Sequence, residues 1–192
     1  MRCATGALVV LLLTVGAGWG AEFVPFHREL AVPFKFDTKE GYFQAQGVDA
    51  ACPANALRTK VHFIRLGKPT TQWRPGATIG LNSGDKKLFF HLWTKNYQPP
   101  YQADIVLFKD DKKTSEIAFT ATFGADAPVP VLVTWTPKGD VSVTAGEETH
   151  IVHLLGQVDS VQLAGSTGAG EFDPVEVGWV GSEGGSEACV AP

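Results

Sequence analysis

Between Lys87 and Lys95 the chain reads Lys-Leu-Phe-Phe-His-Leu-Trp-Thr-Lys, and every second position belongs to one of two sets of unlike chemistry. Leu88, Phe90 and Leu92 form one set; Phe89, His91, Trp93 and Lys95 form the other. A strand turns alternate residues to opposite faces, so the second set presents an imidazole, two flat rings and an ammonium group side by side. Rings stack on the apolar faces of sugars, and ring or charged donors bond sugar hydroxyls, so such a face suits a saccharide. The same residues also have a plainer use. Phe89 and Trp93 can pack beneath a loop or against a second sheet, with His91 satisfied locally.

Two other groups could carry chemistry. Glu171, Asp173 and Glu176 have the spacing E-x-D-x-x-E. Glycoside hydrolysis uses two carboxylates flanking the scissile bond, and this spacing resembles the catalytic signature of laminarinase-like hydrolases. Pro174 interrupts the strand that would hold the triplet, and the plainer reading is an acidic loop leading into the last strand. His150 and His153 form H-x-x-H. On a strand, residues three apart point to opposite faces, so this pair does not chelate a metal together. The acids Asp110, Asp111, Glu147 and Glu148 fall in turns, and neither a Gly-x-Ser-x-Gly elbow nor a Cys-His nucleophile pair is present.

The elements that must position these groups are strands. From Val129 the apolar residues Val131, Val133, Trp135, Val141, Val143, Ile151 and Leu155 recur at even steps, interrupted by Pro-Lys-Gly-Asp and Ala-Gly-Glu-Glu. A period of two with short Gly-containing turns predicts antiparallel pairing rather than βαβ units. Further strands are expected at Tyr42 to Gln46, Val61 to Leu66, from Ala77, at Asp104 to Lys109, Ser115 to Phe123 and Val175 to Val180, with a flexible loop at Ser166 to Glu171. Phe23 to Phe36 holds two prolines and reads as an edge strand or extended lead-in. The fold class is all-β, an antiparallel β-sandwich of jelly-roll kind, in one domain over residues 21–180.

The order of these segments carries a resemblance. Trp73-Arg-Pro-Gly-Ala-Thr-Ile-Gly, the strand of His91, Asp104 to Phe108, Glu116, the strand ending in Trp135, His150-Ile-Val-His-Leu-Leu and Val158 to Gly165 follow one another. From about Trp73 to Gly165 this succession resembles a galectin-type carbohydrate-recognition domain, within the wider concanavalin A-like sandwiches. The domain misnamed after farnesoic acid methyltransferase is similar too, although no Gly-rich strand-turn-helix for a methyl-donor cofactor is present. In galectins a His, an Asn and an Arg on one strand, an Asn on the next, and a Trp followed three residues later by a Glu bind the galactoside. His91 matches the His and Glu116 the Glu. Lys95 replaces the Arg, Trp93 stands at the first Asn, Phe108 falls near the second, and Lys113 replaces the Trp. The resemblance implies a glycan held by His91, Trp93, Lys95 and Glu116.

The start of the chain indicates an address. Met1-Arg2, the apolar run Ala7 to Val15 and small residues at Gly18 and Gly20 form a secretory signal peptide with cleavage after Gly20. Its apolar core is shorter than the roughly 20 residues needed to cross a bilayer. Cys3 leaves with it, and Cys52 and Cys189 remain in an oxidising compartment. One disulfide would tether the tail 181–192; a reactive or intermolecular thiol is the other reading, and neither cysteine has a His, Lys or Arg beside it. A net charge of -4, with 16 Lys and Arg spread along the chain, provides no basic stripe for nucleic acid. The expectation is a secreted carbohydrate-binding module that has no catalysis, cofactor, metal or membrane insertion, with a glycan or glycoprotein as partner. An extracellular structural or protein-interaction domain is the alternative, and a laminarinase-like glycoside hydrolase comes third.

Overall fold

A computed structural model describes residues 23–25, 33–48, 54–71, 73–95, 97–154 and 156–180. The expected signal peptide, Cys52 and Cys189 of the expected disulfide, the tail and Leu155 lie outside the described residues. Within them every regular element is a strand: β1 Phe23–Pro25, β2 Phe34–Asp37, β3 Phe43–Val48, β4 Ala56–Leu66, β5 Gly76–Ser83, β6 Lys86–Trp93, β7 Tyr101–Lys109, β8 Lys112–Phe123, β9 Val129–Trp135, β10 Asp140–Ala145, β11 Glu148–His153, β12 Ser160–Ser166 and β13 Gly168–Val180.

The strands form two antiparallel sheets. The front sheet has six strands in the order β3-β12-β5-β6-β7-β8; the back sheet has seven, in the order β1-β13-β4-β9-β10-β11, with β2 also paired to β13. β1 and β2 lie along the same edge of β13, so the proline-bearing lead-in is an edge, where a missing N–H is tolerated. The inward residues of both sheets meet in one core. Leu57, Val61, Val131, Val133, Val141 and Val143 face Ile79, Leu81, Leu88, Phe90, Leu92 and Ile105. Each such side chain contributes about 1.5 to 3 kcal/mol by leaving water. This is a β-sandwich whose alternation is legible residue by residue.

Three local expectations are corrected. The period of two places Ile151 inward, yet it is 72% exposed, while Val152 and Leu154 are buried. The reason is the turn. A two-residue connection at Gly146 and Glu147 pairs Ala145 with Glu148, which sets Val152 opposite the buried Val141 and Ile151 opposite Ser142; cross-strand partners share a face. The polar run Asp110 to Thr114 reads as a hairpin loop in the sequence, yet the hairpin between β7 and β8 is narrower. Asp110 and Asp111 alone turn it, at φ 49° and 59°, and Lys109 pairs with Lys112. Finally, Ser166 to Glu171 is not a loop. β12 and β13 are separated by Thr167 alone, which carries the chain from the front sheet to the back sheet at φ 50°. Three bonds hold this wholly buried residue: its N–H donates to Tyr42 O, its carbonyl accepts from Gly67 N, and its hydroxyl accepts from Gly41 N.

The two sheets are also latched at one open edge. Glu148, at the start of β11, accepts from the backbone N–H groups of Thr120 and Ala121 on the edge strand β8, and His150 and the Thr120 hydroxyl bond the same carboxylate. Those backbone donors, ahead of its hydrogen bonds to side chains, hold its pKa down at about 2, against an ordinary 4.5. A lowered folded-state pKa stabilises fully above the ordinary value and is lost as pH falls towards the folded one. Glu148→Gln is therefore expected to melt several degrees lower than wild type at pH 7, with the gap closing as pH falls from 4.5 to about 2. Thermal unfolding across that range is the check; a gap undiminished at the acid end would remove the charge from the explanation.

Candidate functional site

The registers of the front sheet line its outward residues up in rows. Phe43, Ser166, Gly76 and Trp93 make one; Ala45, Ala164, Thr78, His91 and Asp104 the next; Gln162, Gly80, Phe89, Val106 and Glu116 a third. Small side chains floor the middle of the sheet while aromatic rings rise around it. Together they enclose an open groove of about 530 Å³ on the face opposite the core. Glycine gives the neighbouring rings room in this floor. A Cβ on Gly80 would lie 3.0 Å from the Phe89 ring, and one on Gly76 would lie 3.2 Å from Trp93 Cβ.

Asp104 organises the centre. Its side chain is only 9% exposed, and its two oxygens go to two partners: Oδ1 lies 2.8 Å from His91 Nδ1, and Oδ2 accepts from Trp93 Nε1 at 2.7 Å. A buried carboxylate is costly unless such charge-assisted bonds compensate it. An ionised carboxylate only accepts, so Nδ1–H must be the donor. In the neutral ring this leaves Nε2 as an acceptor for a ligand hydroxyl, in a tautomer set by Asp104.

Aromatic pairs form the walls. Phe89 lies 5.9 Å from the His91 ring and meets Phe108 edge-on at 5.5 Å, while Trp73 lies against Phe43 at 4.9 Å. Arg74 covers one face of Trp93, its guanidinium carbon 4.5 Å from the ring centre. Trp93 is therefore engaged on one face and through its N–H. Phe43, Trp73, Phe89 and Phe108 also line the groove.

Of the four residues singled out in the sequence, His91 and Trp93 come together through Asp104, and Glu116 lines the far row in an ion pair with Lys113. Lys95 does not join them. β6 ends at Trp93, and Lys95 stands exposed in the bend beyond and is not among the groove-lining residues. The cation at this end is Arg74, from the segment before β5. Neither Asp104 nor Arg74 stands out in the sequence. Periodicity opens a strand at Asp104 that in fact starts at Tyr101; in mid-strand, between inward Ala103 and Ile105, the charge of Asp104 would have marked the opposite face.

The other candidate groups lie elsewhere. None of Glu171, Asp173 and Glu176 lines the groove. They sit on β13 in the back sheet, where Glu171 pairs with Lys35 and His62, and Glu176 with Arg58. His150 bonds Glu148 and His153 bonds Asp140, so the two histidines have separate partners. Among the described residues no three His, Cys, Asp or Glu side chains converge as a metal would require.

No protein-family model matches this chain, and no curated protein sequence does. Solved structures match by shape. A Caenorhabditis elegans galectin, LEC-6, superposes with a TM-score of 0.50 at 11% identity, over 76% of this chain and 96% of its own. The carbohydrate-binding module CBM66 of Bacillus subtilis gives 0.51 at 9% identity, over 83% and 97%. A Crh5 transglycosylase, solved with NAG, gives 0.52 at 12% identity, over 76% and 71%. At these identities the likeness is one of fold. It is a galectin-like, concanavalin A-like β-sandwich.

Proposed function

We propose that this protein is a secreted lectin-like module that binds a glycan in the front-sheet groove without covalent chemistry. One observation carries the reading: an open groove in which Asp104 holds the His91 ring between aromatic walls. Stacking on Phe89 or Trp73 supplies the apolar contact, and His91 Nε2 accepts from a sugar hydroxyl. The galectin and the carbohydrate-binding module named above bear that chemistry in their names and share the fold. Secretion is part of the proposal through the leader-like start of the chain. Against hydrolysis stands the state of the groove's carboxylates. Asp104 gives both oxygens to His91 and Trp93, so the groove does not present a pair of free carboxylates to flank a scissile bond.

His91→Ala tests the reading. Loss of the ring leaves Asp104 Oδ1 without its donor, at about 1 to 3 kcal/mol of stability, so folding is confirmed by circular dichroism; glycan affinity is expected to fall about tenfold or more, the size of one good polar contact. A glycan array followed by titration calorimetry on the best ligand is the measurement. A well-folded wild type that binds no glycan would overturn the proposal.

A further inference from the structure

The unusual member of the groove is Arg74. Its backbone is fastened from both sides: Thr70 N–H donates to Trp73 O, Trp73 N–H to the Thr70 hydroxyl, the Ser166 hydroxyl to Arg74 O, and Thr94 N–H to Pro75 O. Its guanidinium lies over Trp93, and Trp93 is itself held by Asp104. The cation is thus positioned twice, by its loop and by the ring beneath it. Among the described residues it has no counter-ion. No carboxylate among them pairs with Arg74, and Asp104 gives both oxygens to His91 and Trp93.

An exposed cation held in place along the groove, with no carboxylate partner among the described residues, is arranged for an anion brought by the ligand. We infer that the groove selects an acidic saccharide, one whose carboxylate or sulfate ester bonds to Arg74 while the sugar ring lies towards His91 and the Trp73–Phe43 wall. A planar guanidinium takes either anion with two parallel hydrogen bonds, a geometry that an ammonium group lacks. The net charge of -4 provides no long-range attraction for an acidic chain, so any preference for it must arise locally. This inference rests on the saccharide reading above and narrows it.

The test uses the full chain and three matched probes: an oligogalacturonide, its carboxyl-reduced neutral counterpart, and a sulfated oligosaccharide of similar length. Titrations compare wild type, Arg74→Gln, Arg74→Lys and His91→Ala, with circular dichroism to confirm folding. The expected result is that wild type prefers one of the acidic probes about tenfold or more over the neutral one. That preference vanishes in Arg74→Gln, is partly kept in Arg74→Lys and weakens with added salt. Preference for the galacturonide identifies the anion as a carboxylate, and preference for the other acidic probe as a sulfate ester. Binding of the neutral probe that depends on His91 but is indifferent to Arg74 would overturn the acidic selectivity and leave the groove a glycan site. Equal losses for acidic and neutral probes in Arg74→Gln would reduce Arg74 to a support for Trp93, against the inference. Binding of none of the three by a folded wild type would overturn it as well, and the array then decides whether the glycan reading survives.

Discussion

Asp104→Asn is expected to keep the sandwich folded while lowering glycan affinity at least about tenfold. The amide is nearly the same size as the carboxylate, but it carries one acceptor and one donor where Asp104 has two acceptors. The amide oxygen can still take the Trp93 Nε1–H. The amide NH₂ group then faces His91 Nδ1, and the imidazole can meet it only by moving its proton to Nε2. The atom offered to the ligand thereby changes from acceptor to donor. The stability cost is about 1 to 2 kcal/mol, from two charge-assisted bonds becoming neutral ones. Asp104→Ala is expected to be harsher. It strands both donors in a site where the carboxylate is 9% exposed, at about 1 to 3 kcal/mol for each. Nitrogen-15 NMR of the His91 ring in wild type and Asp104→Asn, with titrations beside it, reads the tautomer and the affinity together. An unchanged tautomer with unchanged affinity would dismiss Asp104 as the group that sets the site.

Gly165→Ala is expected to be among the most damaging single changes in the molecule. Gly165 lies on β12 with its hydrogen towards the core, where a Cβ would overlap three carbons of the Phe36 ring. That ring has no room to retreat. On its far side a Cβ at Gly170 would already meet Phe36 Cζ at 2.7 Å, and Phe34, Phe63 and Phe172 pack around it. Overpacking costs about 1 to 3 kcal/mol where neighbours can adjust, and overlap with an enclosed ring places Gly165→Ala at about 3 kcal/mol or above. Phe36→Ala alone is expected to cost about 3 to 5 kcal/mol through its cavity. In combination the two should cost clearly less than their sum, since the second change makes room for the first. Urea unfolding of the two single variants and the double variant closes the cycle. Additive losses would mean that the methyl group is accommodated somewhere other than against Phe36.

Asp104 and Gly165 also mark the limit of what a linear reading can reach. Val129, Val131, Val133 and Trp135 are buried as their period of two requires, and so are Leu88, Phe90 and Leu92, because a strand with one dry face writes that face into its own composition. The all-β class followed from that pattern, and the two prolines of the lead-in marked it as an edge. His91 and Trp93 were legible for the same reason, as polar and aromatic exceptions on a wet face. The phase of β11 was not, because it depends on how many residues the Gly146 turn consumes. Nor was the partnership of Asp104 with His91 and Trp93 visible, because it joins two strands across a register that no local pattern encodes. Arg74 reaches Trp93 from the segment before β5, and Lys95 drops away because β6 stops two residues short of it. Periodicity along one strand determined which residues face water. Pairing between strands, set by turn lengths and by glycines that admit a neighbouring ring, decided which of those residues meet.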